Sequence, residues 1–150
     1  RIIMYKRILI AVDGSHTSEL ALHEAINLAK DMEGRLLIVH GVDEMSLMGL
    51  DYANPTEIRN AMVETGRKIL GKADAAASKA GVKADIKLIE IDTLGRRIPE
   101  AIAEEADAWP ADLVIVGTHG RHGLSRVFMG SVAEGIARVP TKPVLLIRGQ

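Results

Sequence analysis

The sequence predicts an α/β fold: a doubly wound, five-stranded parallel sheet of order 3-2-1-4-5, with helices on both faces. Three observations predict it. Five short runs rich in Ile, Val and Leu punctuate the chain. Segments with helical apolar spacing fill the gaps between them. The runs are continuous rather than alternating, as in Ile8-Leu9-Ile10-Ala11-Val12 and Leu113-Val114-Ile115-Val116, which is how strands covered on both faces read. Strands alternating with helices give a parallel sheet, and right-handed crossovers leave the doubly wound order.

The expected strands are Arg7–Val12, Arg35–Val42, Ala84–Ile91, Asp112–Gly117 and Pro143–Arg148. Leu22, Ala25, Ile26 and Ala29 repeat at i, i+3, i+4, i+7 and mark the first helix. Ile58, Met62, Ile69, Ala73 and Ala76 mark one face of a longer second helix, which Gly66 and Gly71 weaken. That helix starts clearly: Asn54 is an N-cap, Pro55 sits at N1 and Glu57 at N3. Ile98, Ile102, Ala106 and Trp109 mark the third helix, stopped by Pro110. A short fourth helix is expected over Ser131–Arg138, ended by Pro140.

Composition narrows the function. The chain has 150 residues, 47% of them hydrophobic and 26% charged, within the range of one globular domain over 1–150. With 19 Lys+Arg against 20 Asp+Glu, the net charge of −1 gives no global attraction to nucleic acid or an anionic membrane. The absence of cysteine removes disulfides, Cys-ligated zinc, iron–sulfur clusters and thiol catalysis. Aromatics at 3% supply no stacking platform for single strands. No run is long enough to span a membrane. Residues 1–6 lack a signal-peptide core, and Met4 reads as a natural start. A cytoplasmic location is the expectation.

In the predicted order, strands 1 and 4 are neighbours whose helices go to opposite faces, and ligands bind beyond the carboxyl ends at such a switch point. The loop after strand 4 runs Gly117-Thr118-His119-Gly120-Arg121-His122-Gly123-Leu124-Ser125-Arg126, then Val127-Phe128-Met129-Gly130-Ser131. It holds four glycines, two arginines, two histidines and no acid. Backbone N–H donors at a helix start, guanidinium groups and no carboxylate suit a polyphosphate.

The spacing Gly117-x2-Gly120-x9-Gly130-Ser131 matches the ATP-binding signature of the universal stress protein family, a pattern that chance gives in about one chain in a hundred at this composition. Tyr5–Ser15 resembles the family's opening strand. Gly130–Glu134 and Lys142–Arg148 resemble its closing helix and strand. The resemblance covers nearly the whole chain; Glu44–Asn54 is its least recognisable part. It implies a Rossmann-like fold similar to that of the adenine nucleotide alpha hydrolases.

The resemblance implies a site for ATP, with Mg²⁺ held through the phosphates. Adenine would lie by Ala11, Val12 and Gly41, and Asp13 would face the ribose. Gly41 departs from the branched apolar residue expected there, although a backbone contact survives the change. Asp13 has a second reading, an Asx turn with Ser15 or a cap on the first helix. Phosphates would lie over Gly117, Gly120, Gly130 and Ser131, with N–H groups from Val132 and Ala133. Ser131-x-x-Glu134 also reads as a capping box, which competes for the same hydroxyl. Arg121 and Arg126 are either phosphate clamps or solvated. His119 and His122 have metal-like spacing, but no nearby acid or Cys completes a set, which favours a structural or solvated role. His40 reads as a pocket wall; His16 and His23 read as helix-surface residues.

No G-x4-G-K-[S/T], no G-x-G-x-x-G after strand 1 and no G-x-S-x-G is present. The expectation is therefore an ATP-binding stress-response or regulatory protein with at most slow hydrolysis and no assigned catalytic residue. An ATPase or phosphotransfer enzyme is the alternative. A receiver-like phosphoacceptor is a third reading, with Asp92 as its acceptor. Strand Pro143–Arg148 is expected at a sheet edge without a charged guard, and self-pairing there would make a homodimer.

Overall fold

The computed structural model describes residues 4–43, 54–91, 96–118, 135–136 and 142–149. Strands β1 (Arg7–Ala11), β2 (Arg35–Asp43), β3 (Ala84–Ile91), β4 (Leu113–Gly117) and β5 (Val144–Ile147) form a single sheet in the order β3-β2-β1-β4-β5. Every neighbouring pair is parallel. Helices α1 (His16–Asp31), α2 (Pro55–Lys79) and α3 (Ile98–Ala108) connect the first four strands. Each strand bound lies within one residue of the sequence expectation. Residues 135 and 136 are helical, and the rest of the expected Ser131–Arg138 helix lies outside the described residues.

The helices divide between the faces as the double winding requires. On one face, Ala21, Ala25, Ile26 and Ala29 of α1 and Leu70, Ala73 and Ala77 of α2 pack on Ile8, Ile10, Leu36, Ile38 and Ile115. On the other, Ala101, Ile102 and Ala106 of α3, with Ile136, cover Leu9, Val39, Ile91, Val114 and Val116. Alternate residues of β1 and β4 thus feed opposite cores, which explains their unbroken apolar runs.

Caps set the helix starts. Ser15 caps α1, its side chain accepting from the Ser18 backbone N–H at 3.1 Å. Asn54 caps α2, accepting from Thr56 N–H at 2.9 Å, with Pro55 at the start as expected. The buried face of α2 differs from the expected one. It is Gly66, Leu70, Ala73 and Ala77, whereas Ile69 and Ala76 are only half-buried beside it. Gly66 is the reason. A Cβ there would stand 2.7 Å from the His40 ring and 2.8 Å from Leu88 Cδ1, so glycine brings α2 down onto β2 and β3. Gly71 has open space around its Cβ direction, so its cost to the helix has no packing return.

The amino ends of the strands are closed by hydrogen bonds. Asp112 accepts from Lys6 N–H at 3.0 Å and from Arg7 N–H at 3.1 Å, and its own N–H donates to Arg7 O at 2.8 Å. Arg7 Nε donates to Trp109 O at 2.8 Å, and its guanidinium lies 4.2 Å from the centre of the Trp109 ring. Gly34 sits so close to β1 that a Cβ would approach Tyr5 O to 2.9 Å and Lys6 O to 3.0 Å. The Lys6 ammonium donates to Met32 O.

Candidate functional site

The carboxyl ends of β1 and β4 lie side by side where the winding reverses, with β1 paired to both β2 and β4. This is the crevice in which open α/β sheets hold ligands. Four of the sequence-predicted residues meet here or beside it: Ala11 at the end of β1, Val12 and Asp13 just after it, and Gly117 at the end of β4. Gly41 belongs to β2, two residues past the Ala11↔Val39 pair, level with the β1 exit. Gly120, Arg121, Gly130, Ser131, Val132 and Ala133 lie outside the described residues, as do His119, His122, Arg126 and Asp92.

The β1 exit is a tightly determined turn. Val12 N–H donates to Val39 O at 2.9 Å, which prolongs the β1–β2 ladder by one bond. Val12 O pairs with His40 Nδ1 at 2.7 Å. That bond draws the β2 side chain over the strand end, and Gly66 leaves room for its ring. The wall reading of His40 therefore gains a specific partner. Asp13 N–H then donates to the Ser18 hydroxyl at 3.0 Å, and Asp13 Oδ1 accepts from Ser15 N–H at 2.9 Å. The structure thus realises the Asx turn that the sequence offered beside the ribose reading. Gly14 completes the turn at φ 83°, a left-handed backbone that favours glycine. A Cβ at Gly14 would also stand 3.1 Å from Ile69 Cδ1.

Glycines 41 and 117 have packing reasons that the sequence did not show. A Cβ at Gly41 would meet Ile98 Cγ2 at 2.9 Å, so Ile98 of α3 occupies the space of the branched side chain expected at position 41. A Cβ at Gly117 would meet Thr17 Cγ2 at 2.8 Å, so glycine lets the first turn of α1 sit on β4. The candidate residues consequently divide between the faces. Ala11 and Gly41 turn toward α3, and Val12 and Gly117 toward α1.

One polar group of the site was missed in the sequence. Thr118 N–H donates to Ile147 O at 2.9 Å and continues the ladder, yet among the described residues its buried hydroxyl has no hydrogen-bond partner. The residue is 4% exposed. An unmet buried hydroxyl is costly, and Glu100 Oε2 in the first turn of α3 is likewise buried without a partner among the described residues. Two residues past Val116, Thr118 falls on the α3 side with Ala11 and Gly41. Its only sequence signal was its place between Gly117 and Gly120.

The observed order removes the geometry of a receiver. There the phosphoacceptor strand adjoins strand 1. Here β2 separates β3 from β1, so the end of β3 and Asp13 do not share a strand pair. His16 and His23 are exposed on α1, as expected.

The comparisons with known proteins agree with this geometry. The universal stress protein family matches residues 4–148. A universal stress protein of Methanocaldococcus jannaschii is 33% identical over 147 residues, covering 97% of this chain and 83% of its own. A crystal structure of a universal stress protein family member from Burkholderia pseudomallei is 32% identical with a TM-score of 0.78, over 98% of both chains. The Archaeoglobus fulgidus universal stress protein in complex with dAMP is 25% identical with a TM-score of 0.66, over 97% of this chain and 99% of that one. A family match over residues 4–148, with a curated relative 33% identical over 97% of this chain and a solved relative sharing the fold at a TM-score of 0.78, makes this chain a member of the universal stress protein family.

Proposed function

We propose that the chain binds an adenine nucleotide, ATP with Mg²⁺, at the β1–β4 switch point, and works as a nucleotide-dependent regulatory protein. The carrying observation is the buried Thr118 hydroxyl within the glycine signature, without a partner among the described residues, at the carboxyl end of β4, the strand beside β1. The dAMP bound by the Archaeoglobus fulgidus relative supports the ligand class.

In this reading, adenine lies against Ala11 and Gly41, with Val12 supplying backbone. Asp13 keeps Oδ1 on Ser15 N–H and offers its carboxylate to the ribose hydroxyls. The phosphates run over Gly117 toward Gly120, Arg121, Gly130 and Ser131, with N–H groups from Val132 and Ala133. Thr118 Oγ1 adds a donor to that path. Mg²⁺ is held through phosphate oxygens, as a hard cation that keeps several waters. No residue is assigned to hydrolysis.

Strand β5 supports a homodimer in the same reading. It is an edge strand without a charged side chain, and Leu145 is 38% exposed. The opposite edge, β3, is guarded by charge: Asp85 pairs with Arg35 at 3.5 Å and Lys87 with Glu105 at 2.6 Å. Self-pairing of β5 across a two-fold axis covers the unguarded edge. A cytoplasmic location belongs to the same proposal.

Thermal unfolding of nucleotide-stripped protein tests it. ATP at 100 times its dissociation constant stabilises by about 2.7 kcal/mol. An unchanged midpoint in saturating Mg-ATP overturns the reading. Multiple-turnover phosphate release that disappears in Ser131→Ala would replace it with the ATPase alternative. A monomer by light scattering at micromolar concentration would sink the β5 dimer.

A further inference from the structure

Between α1 and α2, on the outer side of the sheet, lies an open groove of about 370 Å³. That volume is within the range of small-molecule sites, roughly 300–1,000 Å³. Its floor is apolar: Leu22, Ile26, Ile69, Ala73 and Ala76, with Val12 at one end. Its rim carries Lys68, Lys72 and His23 against one acid, Glu19. Leu22 and Ile26 of α1 line it together with Ile69, Ala73 and Ala76 of α2.

The rim cations are available. Lys72 pairs with Glu19 at 3.5 Å and Lys68 with Glu64 at 3.6 Å, and both ammonium side chains are highly exposed, at 83% and 77%. Ion pairs of this kind contribute little and exchange partners readily. Lysine stems can lie along an apolar floor while their heads stay in water. An apolar trough under a cationic rim matches a ligand with a hydrocarbon body and one anionic head.

We propose that the α1–α2 groove is a second ligand site, which takes a free medium-chain carboxylate with its chain on Leu22, Ile26, Ile69 and Ala76 and its head at Lys68 and Lys72. The groove is lined mainly by α1 and α2, and among the described residues of the nucleotide reading it shares Val12, with Gly14 and Ser18 of the adjoining turn.

The test is titration of the whole protein with decanoate, below its micellar concentration and without nucleotide. Methyl NMR shifts of Leu22, Ile26 and Ile69 are the readout. Saturable shifts confined to these methyls are expected. Decanol should bind about threefold more weakly, since one exposed charge contact exchanged for water is a modest effect. Ala76→Phe fills the groove and should abolish the shifts with the fold intact by circular dichroism. Should that variant fail to fold, the surface double variant K68E/K72E decides, with about tenfold weaker decanoate binding and unchanged decanol binding. No groove-methyl shift, equal binding of decanol, or equal decanoate affinity in K68E/K72E overturns the proposal.

Discussion

At the amino end of the sheet, Asp112 accepts from two successive backbone N–H groups, Arg7 clasps Trp109, and Gly34 presses against the carbonyls of Tyr5 and Lys6. At the carboxyl end, the polar groups are held locally or left unmet. Asp13 folds back on Ser15 and Ser18, His40 caps the Val12 carbonyl, and among the described residues the Thr118 hydroxyl has no partner. The same strands thus finish in two ways. One end spends its hydrogen bonds joining distant parts of the chain, with Asp112 reaching back across more than a hundred residues to Lys6. The other combines the local Asp13 turn with bonds over shorter separations, from Val12 to His40 and from Thr118 to Ile147, and leaves the Thr118 hydroxyl unmet among the described residues. The difference separates the two ends: the closed end fixes the sheet, and the open end is where the proposed nucleotide would meet polar groups still to be satisfied.

Four substitutions break or sharpen this contrast. Gly34→Val at the closed end should cost about 3 kcal/mol, because the new side chain meets backbone oxygens that cannot yield. In urea unfolding, a loss below about 1 kcal/mol would show that this end is looser than its contacts imply. Asp112→Ala should cost about 2 kcal/mol by stranding the Lys6 and Arg7 N–H groups, with the nucleotide-induced shift of the melting midpoint unchanged. An altered shift would join the two ends and undo the separation.

Thr118→Val at the open end should raise the stability of the nucleotide-free protein by about 1 kcal/mol, since it replaces an unmet hydroxyl with a methyl of similar shape. It should lower ATP affinity in calorimetry. Destabilisation without loss of affinity would show that the hydroxyl serves the fold. The smallest effect is that of Gly71→Ala, in the middle of α2 and remote from both ends. It should stabilise by roughly 0.5–1 kcal/mol, because the Cβ enters open space in a helix. A melting midpoint that does not rise would mean that α2 is frayed at that turn.

The sequence made the sheet legible and left much of the site obscure. Strand runs and their alternation with helices fixed the order 3-2-1-4-5, because buried parallel strands are continuous in Val, Ile and Leu. The Asn54 cap was legible because capping is local chemistry. The buried face of α2 was not. Ala73 was expected and is buried, but the stripe runs through Gly66, Leu70 and Ala77, two of which carry little hydrophobic signal, whereas Ile58, Met62 and Ile69 drew the expectation one position aside. Gly41 looked like a departure from a pattern until Ile98, more than fifty residues later, proved to fill its space. Thr118 was unreadable for a related reason: whether a hydroxyl finds a partner depends on the far ends of other elements. The glycine signature was visible in sequence, and Gly117 is the part of it that the described residues contain, supported by the packing of Thr17.

Trp109 carries one more consequence. It is the chain's single tryptophan, and it stands under the Arg7 guanidinium at the closed end, a sheet length from the Asp13 turn. Its indole therefore makes a built-in optical reporter with a narrow field of view. Ultraviolet emission from this protein follows the joining of β1 to the end of α3, and so the integrity of the whole fold. An occupant at the opposite end leaves that light unchanged, so folding and ligation can be watched through separate channels.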